Sequence, residues 1–169
     1  MTGTEKDWFR DWFGTEYLEL YPHRDEAEAA RAVAAAGADG LSLVNTIRGL
    51  ALDRTTLEPV LARAVGGYSG PALKPIALAC VYACASAVDL PIVGMGGIQT
   101  GTDVLEFVAA GASAVALGTV LFADPDGPKR IRTELAAAVE DRRLPGPLSA
   151  HRAALEGVQN PPQPVEKPL

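Results

Sequence analysis

Gly94-Met-Gly-Gly-Ile98, a helix-like stretch from Asp103 to Ala110, and then Ala114-Val-Ala-Leu-Gly-Thr119 decide the fold of this chain. Two apolar runs, Pro91 to Val93 and Ala114 to Leu117, each end in small residues, Gly96-Gly97 and Gly118-Thr119. Read as strands joined by one helix, they make a βαβ unit with a small-residue turn at each strand end. Glycine in such a turn lets an anion approach backbone N–H groups, and the N-terminus of the helix that follows adds its positive dipole end. Paired turns of this kind hold the phosphate of a nucleotide cofactor in many (β/α)8 barrels. The same glycines also make plain strand-to-helix turns, and it is the second turn, one βα unit later, that favours the phosphate reading.

An internal repeat widens the unit. Ala35-Ala-Gly-Ala-Asp-Gly-Leu-Ser-Leu-Val-Asn45 aligns without gaps on Ala109-Ala-Gly-Ala-Ser-Ala-Val-Ala-Leu-Gly-Thr119, laying Gly37 over Gly111 and Asn45 over Thr119. Each copy reads as a helix end, a glycine just past it, and a short buried strand with a polar tip. Near-continuous apolar strands separated by helices predict an α/β fold with a parallel sheet, covered on its outer face.

Composition excludes several classes. With 48% hydrophobic and 21% charged residues in 169, the chain has the balance of one ordinary globular domain. A net charge of -6 and scattered arginines such as Arg31, Arg48, Arg54 and Arg63 argue against a nucleic-acid partner. Phe107 to Ala123, the longest uncharged stretch, is broken by Gly111 and Gly118 and falls short of the roughly 20 apolar residues of a bilayer span. No apolar signal core stands at the N-terminus, so a cytoplasmic location is expected. Cys80 and Cys84 share one face of a helical stretch from about Pro71 to Ala87, beside Ile76 and Ala77, which suits core packing better than redox or metal chemistry. His23 sits in a turn-like segment and His151 near the tail, and no Ser-His-Asp, HExxH or Walker pattern supports hydrolase or NTPase readings.

The segment between the repeats holds the remaining chemistry. The strand Leu41 to Val44 ends in Asn45-Thr46, an amide and a hydroxyl at the strand end where ligands bind in such folds. Asn45 can donate and accept together, which suits a planar ligand with carbonyl and N–H edges. A connection of roughly twenty residues, Arg48 to Ser69, follows, and one that long in a compact α/β protein is usually functional. It runs into Gly66-Gly-Tyr-Ser-Gly-Pro-Ala-Leu-Lys-Pro75, where Ser69-Gly70-Pro71 predicts a helix start. Taken alone, this glycine cluster fits either a phosphate loop or a structural Ω-like loop.

Asn45-Thr-Ile-Arg-Gly49, the Gly66–Pro75 segment, Pro91-Ile-Val-Gly-Met-Gly-Gly-Ile98 and Gly118-Thr119, in this order and spacing, resemble the C-terminal half of dihydroorotate dehydrogenase, and most closely its NAD-linked branch. The resemblance covers about Ala27 to Val139. It implies an FMN-containing (β/α)8 TIM barrel that oxidises dihydroorotate to orotate in pyrimidine synthesis, working with an iron–sulfur flavoprotein electron-transfer subunit. Position by position, it implies FMN contacts at Val44, Gly70, Gly96, Gly97, Gly118 and Thr119, and substrate contacts at Asn45 and Thr46. Orotate offers the carbonyl and N–H edges that Asn45 can pair, and the hydride chemistry belongs to the flavin.

The chain departs from that family in four respects. Strands ending at Asn45, Gly97 and Thr119 supply less than half of eight, whereas a full barrel takes about 250 residues. A partial barrel is therefore expected, with open sheet edges that predict a homo-oligomer or aggregate. The family's catalytic cysteine has no counterpart at Cys80 or Cys84, so no catalytic residue is assigned, and Glu19 stands near the place of its flavin-contacting lysine. Residues 1–28 hold six of the ten aromatic residues and resemble the N-terminal lead of class I S-adenosylmethionine-dependent methyltransferases, without the glycine-rich strand that follows there. The expected organisation is an aromatic-rich segment over 1–28, a partial FMN-binding barrel over 29–144, and a Pro-rich flexible tail over 145–169.

Overall fold

The computed structural model describes residues 26–159. Within them a three-stranded parallel sheet forms from β1 (Leu41–Leu43), β4 (Ile92–Met95) and β5 (Ala114–Ala116), in the order β1-β4-β5. Leu43 lies opposite Gly94, and Met95 opposite Ala116, so the three strands end together at one edge of the sheet. Helix α1 (Glu26–Ala35) leads into β1, α2 (Lys74–Ala87) into β4, and α3 (Gly101–Ala110) into β5. This is the α/β pattern expected, a partial (β/α)8 barrel with parallel strands.

The helices bury one side of the sheet. Phe107, Leu73, Ile92 and Val81 are fully enclosed there, and Phe107 fits because position 94 carries no Cβ: one would stand 2.6 Å from its ring. Burying each such side chain stabilises the fold by about 1.5–3 kcal/mol. Two features end α3 where the repeat requires: a reciprocal capping box between Thr100 and Asp103 starts it, and left-handed Gly111 stops it. Cys84 is buried, its thiol 3.7 Å from the Glu26 carbonyl, and burial pushes its pKa up to about 11. Cys80 and Cys84 form no disulfide; Ala77 is enclosed with Cys84 as expected, whereas Cys80 is half-buried and Ile76 points outward at 45% exposure.

The connection from Arg48 to Ser69 is neither an Ω-like nor a phosphate loop for most of its length. It belongs to an antiparallel hairpin of β2 (Ile47–Leu50) and β3 (Val65–Tyr68), with Ile47 opposite Tyr68. Gly66 and Gly67 lie in β3, where a side chain would meet Leu61 and Thr46, so they serve close packing. Of these three glycines only Gly70, at φ +99°, reaches the cleft beside the sheet, together with Ser69. The hairpin leaves Leu50, Leu57, Val60 and Tyr68 exposed.

After β5 come the single turn α4 (Val120–Ala123), α5 (Gly127–Asp141), a 3-10 turn at Pro147–Ala150 and α6 (Ala153–Gln159). The described residues after Pro145 make contacts with the body of the chain through Arg152. Arg152 bonds the Asp89 carboxylate at 2.8 Å and the Ala85 carbonyl, and its N–H reaches the Val108 carbonyl. The aromatic-rich segment and Glu19 lie outside the described residues.

Candidate cofactor and substrate site

At the carboxyl edge of the sheet the strand tips open into a cleft of about 700 Å³. All eight positions singled out in the sequence line it: Val44, Asn45 and Thr46 after β1, Gly70 before α2, Gly96 and Gly97 after β4, and Gly118 and Thr119 after β5. Ser69, Met95, Gln99 and Val120 join them, and none of the lining residues carries a charge.

Gly96 (φ +120°) and Gly97 (φ +77°) adopt backbone conformations closed to most side chains. The Gly97 turn also presses on the start of α2: a Cβ there would lie 2.7 Å from the Lys74 nitrogen and 2.9 Å from the Gly70 carbonyl oxygen. At Gly118 no atom lies within 4 Å of the Cβ position. The two turns therefore have different reasons for glycine, one in packing and the other in open space facing the cleft.

The dipole expected from the helix after Gly96-Gly97 is already used. The N–H groups of Gln99 and Thr100 each donate to Asp103 Oδ2 at 2.8 Å, and that of Gly101 donates to Glu134 Oε2 at 3.0 Å. Carboxylates of the chain itself thus satisfy the first amides of α3. An anion in the cleft is left with the amides at Gly96-Gly97 and those of the turn Gly118-Thr119-Val120, which precede the first intrahelical bonds, Leu121 to Gly118 and Phe122 to Thr119.

Three cross-links hold the cleft segments to one another. Thr119 Oγ1 donates to Ser69 Oγ at 2.9 Å, tying the Gly118 turn to the Gly70 loop. Lys74 Nζ binds Asp103 Oδ1 at 2.6 Å and Glu106 Oε2 at 2.7 Å, tying the start of α2, which follows the Gly70 loop, to the first turns of α3, which follows the Gly97 turn. Arg130 donates to Asp124 at 2.8 Å, Glu134 at 2.6 Å and the Gln99 carbonyl at 3.1 Å, tying the end of α4 to the same turn. Burial pushes the Asp103 carboxyl up, but bonds from Lys74, Gln99 and Thr100 outweigh it and hold it below the ordinary aspartate range. The bonds to Asp103 and then Glu106 raise Lys74 above the ordinary lysine value.

On the substrate side, Asn45 Oδ1 takes the Thr46 N–H at 2.7 Å. The Thr46 hydroxyl donates to the same oxygen at 3.4 Å, so what Asn45 keeps for a ligand is its Nδ2 donor pair. Neither cysteine lines the cleft, and among the described residues no group of His, Cys, Asp and Glu is arranged to hold a metal. Likewise, no helix among them is long and apolar enough to cross a membrane. Ser69, Lys74, Asp103 and Arg130 were given no part in the site from the sequence. A readable signal existed for one, since Thr100-x-x-Asp103 before an apolar run is a capping-box pattern.

The chain is similar to known proteins over most of its length. The catalytic subunit of dihydroorotate dehydrogenase B (NAD(+)) from Bacillus thuringiensis (strain Al Hakam) is 49% identical over 126 residues, 74% of this chain and 41% of that protein. The same subunit from Geobacillus kaustophilus (strain HTA426) is 50% identical over 126 residues, 74% of this chain and 40% of that protein. The crystal structure of dihydroorotate dehydrogenase from Eimeria tenella, in complex with ferulenol, superposes with a TM-score of 0.64 at 27% identity, over 77% of this chain and 35% of that one. The chain thus spans about two fifths of the length of the curated relatives it matches. The family model described as dihydroorotate dehydrogenase matches residues 17–139, most of the chain, and the chain belongs to the dihydroorotate dehydrogenase family.

Proposed function

We propose that the chain forms the phosphate-holding side of an FMN site and part of an orotate site, and that alone it oxidises dihydroorotate weakly or not at all. The observation that carries this is the convergence of all eight implied positions on one cleft. The residues fit the cofactor: the volume lies within the roughly 300–1,000 Å³ usual for small-molecule sites, and Gly70 and Gly118 leave their Cβ directions open. When bound, the flavin supplies the hydride acceptor.

Gly96, Gly97, Gly118 and Thr119 would hold the cofactor phosphate through backbone N–H groups, and Val44 would pack against the ring system. Asn45 and Thr46 would orient dihydroorotate or orotate at the tip of β1. The weak activity follows from the lining itself. No lining residue titrates as a general base, and a missing base costs about 10²- to 10⁴-fold. The partner proposed for electron transfer is an iron–sulfur flavoprotein subunit, since the relatives are catalytic subunits of an NAD(+)-type enzyme. The same lining supports a second reading, a non-catalytic flavin-binding half-barrel that self-associates.

Fluorescence titration of the full chain with FMN tests the site, and anaerobic mixing with dihydroorotate tests the chemistry. Saturable FMN quenching with slow or absent bleaching is expected. No quenching at millimolar FMN would refute the site, and rapid bleaching would refute the weak-activity claim.

A further inference from the structure

The charged residues nearest the cleft are candidates for direct phosphate ligands, but their bonds point elsewhere. Lys74 Nζ lies between two carboxylates, at 2.6 Å from Asp103 and 2.7 Å from Glu106. Arg130 is likewise held by Asp124 and Glu134, and its remaining contact is the Gln99 carbonyl. Neither side chain lines the cleft. Each nevertheless joins two of the cleft segments, and each acts on the loop from Gly97 to Gly101.

We infer that Lys74, Asp103 and Arg130 are positioning residues that hold the Gly96-Gly97 turn open for a phosphate monoester, so that their loss lowers affinity for the phosphorylated ligand and spares its unphosphorylated counterpart. The inference rests on the FMN reading above and deepens it by naming what sets phosphate affinity. Three observations carry it. Asp103 is the buried charged residue of the described chain, at 8% exposure, and its two oxygens divide their work: Oδ2 takes the Gln99 and Thr100 amides, and Oδ1 takes Lys74. Lys74 is the first residue of α2, and its backbone nitrogen abuts the Gly97 turn, so the ion pair sets the spacing between the two. Arg130 and Glu134 bind the loop on both sides of Thr100, one at the Gln99 carbonyl and the other at the Gly101 amide.

Amides that already serve Asp103 and Glu134 cannot also serve a ligand, which confines the phosphate to the neighbouring turns. A turn allowed to relax would spend its own amides on local bonds. Preorganised donors avoid that loss, and small misplacements of them are costly.

The test compares FMN with riboflavin, which differs only in the phosphate, by fluorescence quenching on the full chain. Lys74→Met and Arg130→Met remove one cross-link each, and Lys74→Arg restores a cation at the first. Melting curves are recorded for all. The expected result is a Kd for FMN raised at least tenfold in both Met variants, a Kd for riboflavin moved less than twofold, and partial recovery in Lys74→Arg. Arg130 is half-exposed, so Arg130→Met keeps the test open if Lys74→Met does not fold. Equal losses for both ligands, or wild-type FMN affinity in folded variants, would overturn the inference. Wild-type protein that binds neither ligand would instead overturn the flavin site itself.

Discussion

A matched pair of substitutions separates the two reasons for glycine in the cleft. In Gly97→Ala the new methyl stands 2.7 Å from the Lys74 nitrogen and 2.9 Å from the Gly70 oxygen, at a residue held at φ +77°. The left-handed backbone costs about 1–2 kcal/mol and the overlap with backbone about 1–3 kcal/mol, together about 2–5 kcal/mol. At roughly 2–4 °C per kcal/mol for a chain of this size, Tm should fall by about 4–20 °C. In Gly118→Ala the same methyl meets nothing within 4 Å, so stability should stay within about 0.5 kcal/mol of wild type. On the proposed site, however, the methyl would stand in the path of a phosphate approaching the amide. Losing one charge-assisted hydrogen bond costs about 1.5–3 kcal/mol, roughly 10- to 150-fold in Kd. Differential scanning fluorimetry and FMN titration on both variants give the four numbers needed. A Gly97→Ala protein that melts like wild type would refute the packing argument, and a Gly118→Ala protein that binds FMN like wild type would refute the phosphate assignment.

Other expectations follow from the same geometry. β1 and β5 end the described sheet with unpaired edges, so the full chain should self-associate in light scattering; removing residues 1–24 should worsen this if that segment covers the gap, and monomers from both chains would contradict the open-edge argument. Because the Asp103 pKa is lowered on folding, the stability it contributes is present above its unfolded value near 4 and is lost as pH falls through the folded value; Asp103→Asn should flatten that acid limb in pH-dependent melting, and an unchanged limb would count against the ion pair. With the Cys84 thiol pushed up to about 11 and buried, iodoacetamide at pH 8 should modify Cys80 first, as read by peptide mapping, and equal rates would contradict the burial.

The parallel sheet was legible because its strands are short apolar runs that end in turn residues, and because Gly37 and Gly111 mark the same place in two copies of one αβ unit. The cleft was legible for a related reason: residues at the tips of parallel strands reach the same edge whatever the details of the helices. The hairpin was not, since Ile47 to Leu50 and Val65 to Tyr68 carry glycines of their own and are separated by the fourteen residues 51–64, so their pairing is a long-range event with no local signature. The cross-links escaped for the same reason. Lys74 and Asp103 lie 29 positions apart, and only the packing of α2 against α3 brings a lysine and an aspartate, each unremarked in its own segment, within 2.6 Å.

The uncharged lining of the cleft also bears on kinetics. A dianion approaching a protein of net charge -6 finds no charged side chain in the cleft lining to steer it, and the nearby Lys74 and Arg130 are paired with carboxylates. Encounter is then unassisted, and association rates belong near the neutral range of about 10⁵–10⁶ M⁻¹s⁻¹ and not the steered one. Affinity for a phosphate ligand must come from slow departure, governed by oriented amides at short range. Added salt, which screens distant charges over about 8–10 Å, would therefore weaken binding little and could even speed arrival by damping the protein's own negative field.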